Sequence, residues 1–150
     1  MVEEPLGAAF PARVLLDTNV ILDLLLEREP WLQEARPMWD AYNADTITVC
    51  VNAATITDIF YICRKLVGVQ QARHAVTRCV ESFQLLPLTE AMIATALTFA
   101  GPDFEDDVQI ACAQAAGIMA IVTRNVTEFS HSPVVAMAPK DVPARLSLPS

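Results

Sequence analysis

Apolar residues in this chain fall into short dense runs, separated by longer segments in which they recur at helical spacing. Arg13-Val-Leu-Leu16 is one such run and ends at Asp17-Thr-Asn, the pattern of a buried strand turning into a helix. Val20 to Glu27 continues helically, with Ile21, Leu24 and Leu25 on one face. Pro30 suits the first turn of the next helix. Leu32, Ala35, Trp39 and Tyr42 then form a helical stripe, which Pro37 is expected to kink or split. The β-branched segment Asp45 to Val51 predicts a second strand.

From Ala53 the period changes. Ile56, Ile59, Phe60, Cys63 and Val67 mark an amphipathic helix ending at Gly68. Another helix is predicted over Val69 to Val80, then a short strand, Ser82 to Leu86. Thr89 caps a helix reaching about Ala100, and Gly101-Pro102 breaks it. The next helix, Phe104 to Ala116, places Phe104, Val108, Ala111, Cys112 and Ala115 on one face. Ile118 to Val122 and Val134 to Met137 read as strands, and Pro139 to Leu146 as a closing helical turn. Met1 to Ala12 reads as a loose tail before a single domain, residues 13–150.

Strands alternating with helices, and too apolar to have a wet face, predict a parallel sheet covered on both sides. The expected class is therefore α/β: a three-layer α/β/α domain with a central parallel sheet of four to five strands. Right-handed crossovers place the strand C-termini along one edge, where open α/β sheets bind ligands. Asp17 and Asn125 both fall just past strand ends.

Composition narrows the picture. The 150 residues are 53% hydrophobic, enough for one core without disulfides or a structural metal. Cys50, Cys63, Cys79 and Cys112 lack ligand or redox spacing and read as small buried hydrophobes. No apolar run approaches the ~20 residues that span a bilayer. The Met-Val-Glu-Glu opening is unlike a signal peptide, so a cytoplasmic protein is expected. The net charge of −8 opposes binding of a polyanion, unless acids converge on divalent cations. An acidic chain also suits a basic partner.

The acids are where chemistry is sought. Asp17 sits at a strand end beside a helix N-terminus; taken alone, it reads equally as a cap. Asp58 lies early in its helix, off the apolar stripe, and alone reads as a solvated acid. Asp103, Glu105, Asp106 and Asp107 crowd the start of another helix. The helix dipole favours them there, yet their mutual repulsion costs stability unless a cation relieves it. Asp103 and Asp106 share one face, with Asp107 near Asp103. Thr123-Arg-Asn125 and Glu128 follow the fourth strand and are polar enough to complete a metal shell.

Four segments, in order, resemble the motifs of PIN domains, the nuclease fold of VapC-type toxins. They are Asp17-Thr-Asn-Val-Ile-Leu-Asp23, Asn52-Ala-Ala-Thr-Ile-Thr-Asp58, Asp103-Phe-Glu-Asp106-Asp-Val-Gln-Ile-Ala and Val122-Thr-Arg-Asn-Val-Thr-Glu-Phe129. The likeness runs from about Arg13 to Leu146. It departs from the family at Asp58, where Glu is usual, and at Asn125, where Asp is frequent. The resemblance implies a magnesium- or manganese-dependent endoribonuclease, the toxin of a toxin–antitoxin pair. Asp17, Asp58 and Asp106 would be catalytic and hold the metal, Asn125 or Glu128 would support a second ion, and Asn19, Asp103, Asp107 and Thr123 would orient the shell. Carboxylate ligands suit such hard cations. It further implies a homodimer and a small antitoxin covering the acidic cleft; the stripe around Trp39 and Tyr42 fits either that surface or the core. Arg124 is the best candidate for an RNA phosphate contact, with Arg64 and Lys65 as others, while Arg73, His74 and Arg78 lie on the following helix. A PIN-like module with weakened or lost catalysis is the alternative reading. An aspartate-nucleophile phosphatase is less compatible, because it needs a second Asp where Asn19 stands.

Overall fold

The computed structural model describes residues 11–148. Five parallel strands form one sheet in the order β3-β2-β1-β4-β5. They are β1 (Ala12–Leu16), β2 (Ile47–Asn52), β3 (Gln84–Leu86), β4 (Ala120–Val122) and β5 (Ala136–Met137). The expected three-layer α/β fold is the observed one. The predicted tail falls outside the described residues except for Pro11 and Ala12, and Ala12 already belongs to β1.

Each strand of the sheet centre is apolar on both faces because each face is covered. Val14, Leu16, Val49, Val51, Ala120 and Val122 enter one core cluster. There they meet α1 (Thr18–Leu25), α3 (Arg36–Asn43), α4 (Ala53–Val67) and α5 (Val69–Ser82). The intervening residues Leu15, Cys50 and Ile121 enter a second cluster with Ile110, Ala113 and Phe129. That face is covered by α7 (Phe104–Ala115), with α6 (Glu90–Phe99) packed against it through Ala96, Val108 and Ala111. The four cysteines are buried and free.

Several boundaries differ from the sequence pattern. The stripe through Trp39 is split into α2 (Trp31–Glu34) and α3, with Pro37 in the first turn of α3, where its missing N–H costs nothing. Trp39 and Tyr42 pack against Phe83 and join the core. Helix α5 runs on to Ser82, so β3 is shorter than the Ser82 to Leu86 strand expected. The strands expected from Asp45, Ile118 and Val134 begin two residues later. Asp45 takes a left-handed φ of 60°, and Thr46 turns its hydroxyl back to the Ala41 carbonyl. The closing segment is a 3-10 turn, Pro139–Asp141, followed by α8 (Val142–Arg145).

The largest correction concerns α7. The sequence pattern places Phe104 and Ala115 on its buried stripe, yet both are exposed. Instead Asp106 to Ala113 is buried without interruption, because α7 is wedged between the sheet and α6. A stripe assumes one wet face, and this stretch has none. Among the described residues no helix is long and apolar enough to cross a membrane.

Candidate functional site

Strand order dictates where a site forms. From β1 the chain crosses to β2 and β3 on one side, then returns to β4 and β5 on the other. The crossovers diverge between β1 and β4 and open a crevice beyond their C-terminal ends. Asp17 follows β1 there, and Thr123 follows β4.

These two residues are joined. The Asp17 amide donates to the Val122 carbonyl at 2.9 Å, and the Thr123 hydroxyl donates to Asp17 Oδ2 at 2.8 Å. Asp17 Oδ1 accepts from the Thr18 amide at 2.8 Å, so Asp17 also caps α1. The carboxylate is therefore both cap and site candidate: each oxygen has one donor and keeps a lone pair. Asp17 is 8% exposed. Burial raises its pKa above the ordinary carboxylate value, against the hydrogen bonds from Thr123 and Thr18.

Asp106, in the first turn of α7, is also buried. Its pKa is raised to about 7, first by burial and then by the charges of Asp103, Asp17, Glu128 and Glu105. Asp103 caps α7, its Oδ1 accepting the Asp106 amide at 3.2 Å. Glu105 is raised by burial and by Asp58, Asp103 and Asp17. The first, third and fourth motifs thus supply carboxylates close enough to repel one another. Asp58 is exposed on α4, and among these charges its influence falls on Glu105. It is not among the charges that shift Asp17 or Asp106.

Other expected positions divide. Asn19 Oδ1 is buried with no hydrogen-bond partner, which suits an oxygen awaiting a ligand. Asn125 is exposed, and its amide, not its side chain, bonds Thr123 Oγ1 at 3.0 Å. Asp107 does not face the crevice group as expected. It bonds the Gly101 amide and His131 instead, because the Gly101 turn folds over that side of α7. Arg64 and Lys65 lie exposed in the last turn of α4.

Asp23 was missed from sequence. This 3% exposed acid pairs with Arg28 Nε at 2.9 Å and Arg124 Nε at 3.0 Å. The Arg124 guanidinium also covers the Trp31 ring, 3.9 Å from its centroid. Arg124 is thereby fixed beside the crevice, close enough to lower the Asp17 pKa. The available signal was a carboxylate inside the apolar run Ile-Leu-Asp-Leu-Leu, which needs a cationic partner once buried. Burial raises the Asp23 pKa against the pull of both arginines, and Arg124 Nε, though 3.0 Å away, makes no hydrogen bond to it. Replacing Asp23 by Asn is therefore expected to change stability by no more than about 1 kcal/mol in urea unfolding.

Among the described residues, no three His, Cys, Asp or Glu side chains stand close enough to hold one ion together. The donors nevertheless fit a hard divalent cation. Magnesium binds through one or two carboxylates and keeps several waters, and Asp17 and Asp106 are two buried carboxylates whose raised pKa values a cation would reverse. No cysteine or histidine lies among these donors.

A family model described as a PIN domain matches residues 13–127. The chain belongs to the PIN-domain family. No curated protein matches it, but solved structures share its PIN fold. VapBC2 from Rickettsia felis, bound to a DNA fragment from its promoter, aligns with a TM-score of 0.67 at 11% identity, covering 84% of this chain and 98% of that one. A toxin–antitoxin complex from Klebsiella pneumoniae aligns at 0.63 and 21% identity, covering 84% and 97%. The sarcin–ricin loop cleaving toxin VapC20 of Mycobacterium tuberculosis aligns at 0.59 and 14% identity, covering 72% and 86%. The family match spans the first, second and third motifs in full and ends inside the fourth, before Glu128.

Proposed function

We propose that this PIN domain is a divalent-metal-dependent endoribonuclease, the toxin of a cytoplasmic toxin–antitoxin pair. The observation carrying this reading is that Asp17, buried at the β1/β4 crevice, and buried Asp106 lie close enough for the charge of one to raise the pKa of the other. Two desolvated acids, raised in pKa by burial and by the charges around them, are costly unless something cationic occupies the space between them. That PIN neighbours include toxin–antitoxin complexes and an RNA-cleaving toxin supports the choice of substrate and of partner.

In this reading Asp17 and Asp106 would hold magnesium or manganese, with Asp58, Glu128 and Asn125 supporting the site. The bound metal supplies an activated water and stabilises charge developing on the phosphodiester. Thr123 fixes the Asp17 carboxylate by its hydrogen bond, and Asn19 offers a neutral oxygen. Arg124, paired with Asp23 and stacked on Trp31, would supply a guanidinium for a phosphate, and Arg64 and Lys65 would hold RNA further along α4. A homodimer, and an antitoxin bringing basic groups to the acidic crevice, complete the assembly.

The exposure of Asp58 and the neutral Asn125 favour a second reading, a PIN module that binds metal and RNA with little or no cleavage. An RNA-cleavage assay with magnesium or manganese separates them. The nuclease reading expects cleavage that a chelator stops and added metal restores. Manganese binding without cleavage of any single-stranded or structured RNA offered supports the module instead.

A further inference from the structure

The contact between buried Asp107 and solvent-exposed His131 lies outside the machinery described above, yet it joins the segments that carry it. Asp107 is 2% exposed. Its Oδ2 accepts the Gly101 amide at 2.8 Å, and its Oδ1 lies 2.8 Å from His131 Nε2. The acceptor is a carboxylate oxygen, so the imidazole Nε2 is the donor. Three stretches of chain meet at this carboxylate: the turn after α6, the first turn of α7, and the loop after β4.

Gly101 shows how closely they meet. A Cβ there would stand 2.5 Å from Asp107 Oδ1 and 2.6 Å from His131 Nε2. Only a residue without a side chain lets this backbone approach the pair.

The loop after β4 carries Glu128 in a 3-10 turn, Val126–Phe129. It has two anchors. Phe129 is 2% exposed and sits in the core cluster with Leu15, Ile110 and Ile121, which fixes the base of the turn. His131 fixes the far side, to the residue that follows Asp106. Glu128 lies between β4 and these anchors, exposed, with its amide bonded to the Asn125 carbonyl at 3.0 Å.

We propose that His131 is a positioning residue: through Asp107 and the Gly101 turn it holds the Val126–Phe129 turn so that Glu128 faces Asp106. This rests on the metal-centre reading above and deepens it, giving Glu128 a defined place despite its solvent-exposed turn. Asp107 therefore serves the site from behind, by fixing a loop.

A double-mutant cycle tests this, with manganese affinity of the intact protein as readout, measured by calorimetry. His131→Ala is expected to weaken manganese binding about 5- to 10-fold, within the range for lost outer-shell partners. His131→Gln, which can present an amide N–H to Asp107, should restore most of it. In a Glu128→Gln background, His131→Ala should have no further effect, because the residue it positions has lost its charge. Gly101→Ala should reproduce the His131→Ala loss. Equal weakening by His131→Ala in both backgrounds, or none in either, overturns the proposal. Failure of the unaltered protein to bind manganese overturns it together with the metal-centre reading. A cycle that behaves as expected in a protein that cuts no RNA leaves the positioning role standing and removes only the nuclease reading.

Discussion

Replacing Asp17 by Asn is expected to lower metal-dependent RNA cleavage by about 10²- to 10³-fold while the fold persists. On the proposed metal-centre reading the loss follows from removing one of its two buried carboxylates: several kcal/mol of charge stabilisation at the reacting phosphate, at tenfold per 1.36 kcal/mol. Persistence of the fold follows from the local geometry. Asn keeps an oxygen for the Thr18 amide, and the Thr123 hydroxyl can rotate to accept from the new amide nitrogen. The change also removes a buried charge that burial and Asp103 already disfavour. Thermal unfolding should therefore show equal or higher stability beside the lost activity. Undiminished cleavage by the Asp17→Asn variant would remove Asp17 from the site.

The second large effect is a pH dependence that metal abolishes. Asp106 has its pKa raised to about 7 in the folded protein, against about 4 unfolded. A raised folded value means the folded state holds the proton more tightly. Its stabilising contribution is fully present below about pH 4 and is lost as pH rises through about 7. Without metal, thermal stability at pH 8 should be lower than at pH 6. Magnesium or manganese at about 100 times its dissociation constant should add about 2.7 kcal/mol at pH 8, or roughly 5–10 °C in Tm. The gain should shrink towards pH 5, where protons compete for the carboxylates. In Asp106→Asn both the pH slope between 6 and 8 and the metal response should flatten. A metal response unchanged in that variant would place the ion elsewhere.

How much of this was legible in the sequence depends on the range of the interactions involved. β1, β2 and β4 announced themselves because strands covered on both faces are continuously apolar. The turn into α1 was visible in Asp17-Thr-Asn. By contrast α7 misled: the stripe rule presumes a solvent face, and burial by α6 and the sheet removed it. Asp106 was found by motif, whereas its partners could be told apart only by the fold. Asp103 and Asp107 lie one helical turn apart, yet one caps α7 and the other is drawn back by Gly101. The Asp23–Arg124 pair joins residues far apart in the chain, and no local pattern encodes it. His131 likewise gained meaning only once Gly101 was seen against it.

The Thr123–Asp17 hydrogen bond couples the chemistry to the slowest motion of the molecule. Asp17 leaves β1 with its amide bonded to β4, in the middle of a five-stranded sheet. Central strands open only when the whole domain opens. The Asp17 amide should therefore exchange its hydrogen at the rate set by global unfolding, while the amides around Glu128, on an exposed turn, exchange orders of magnitude faster. One half of the crevice is as durable as the fold itself, and the other half is only as durable as the two anchors of its turn, Phe129 and His131.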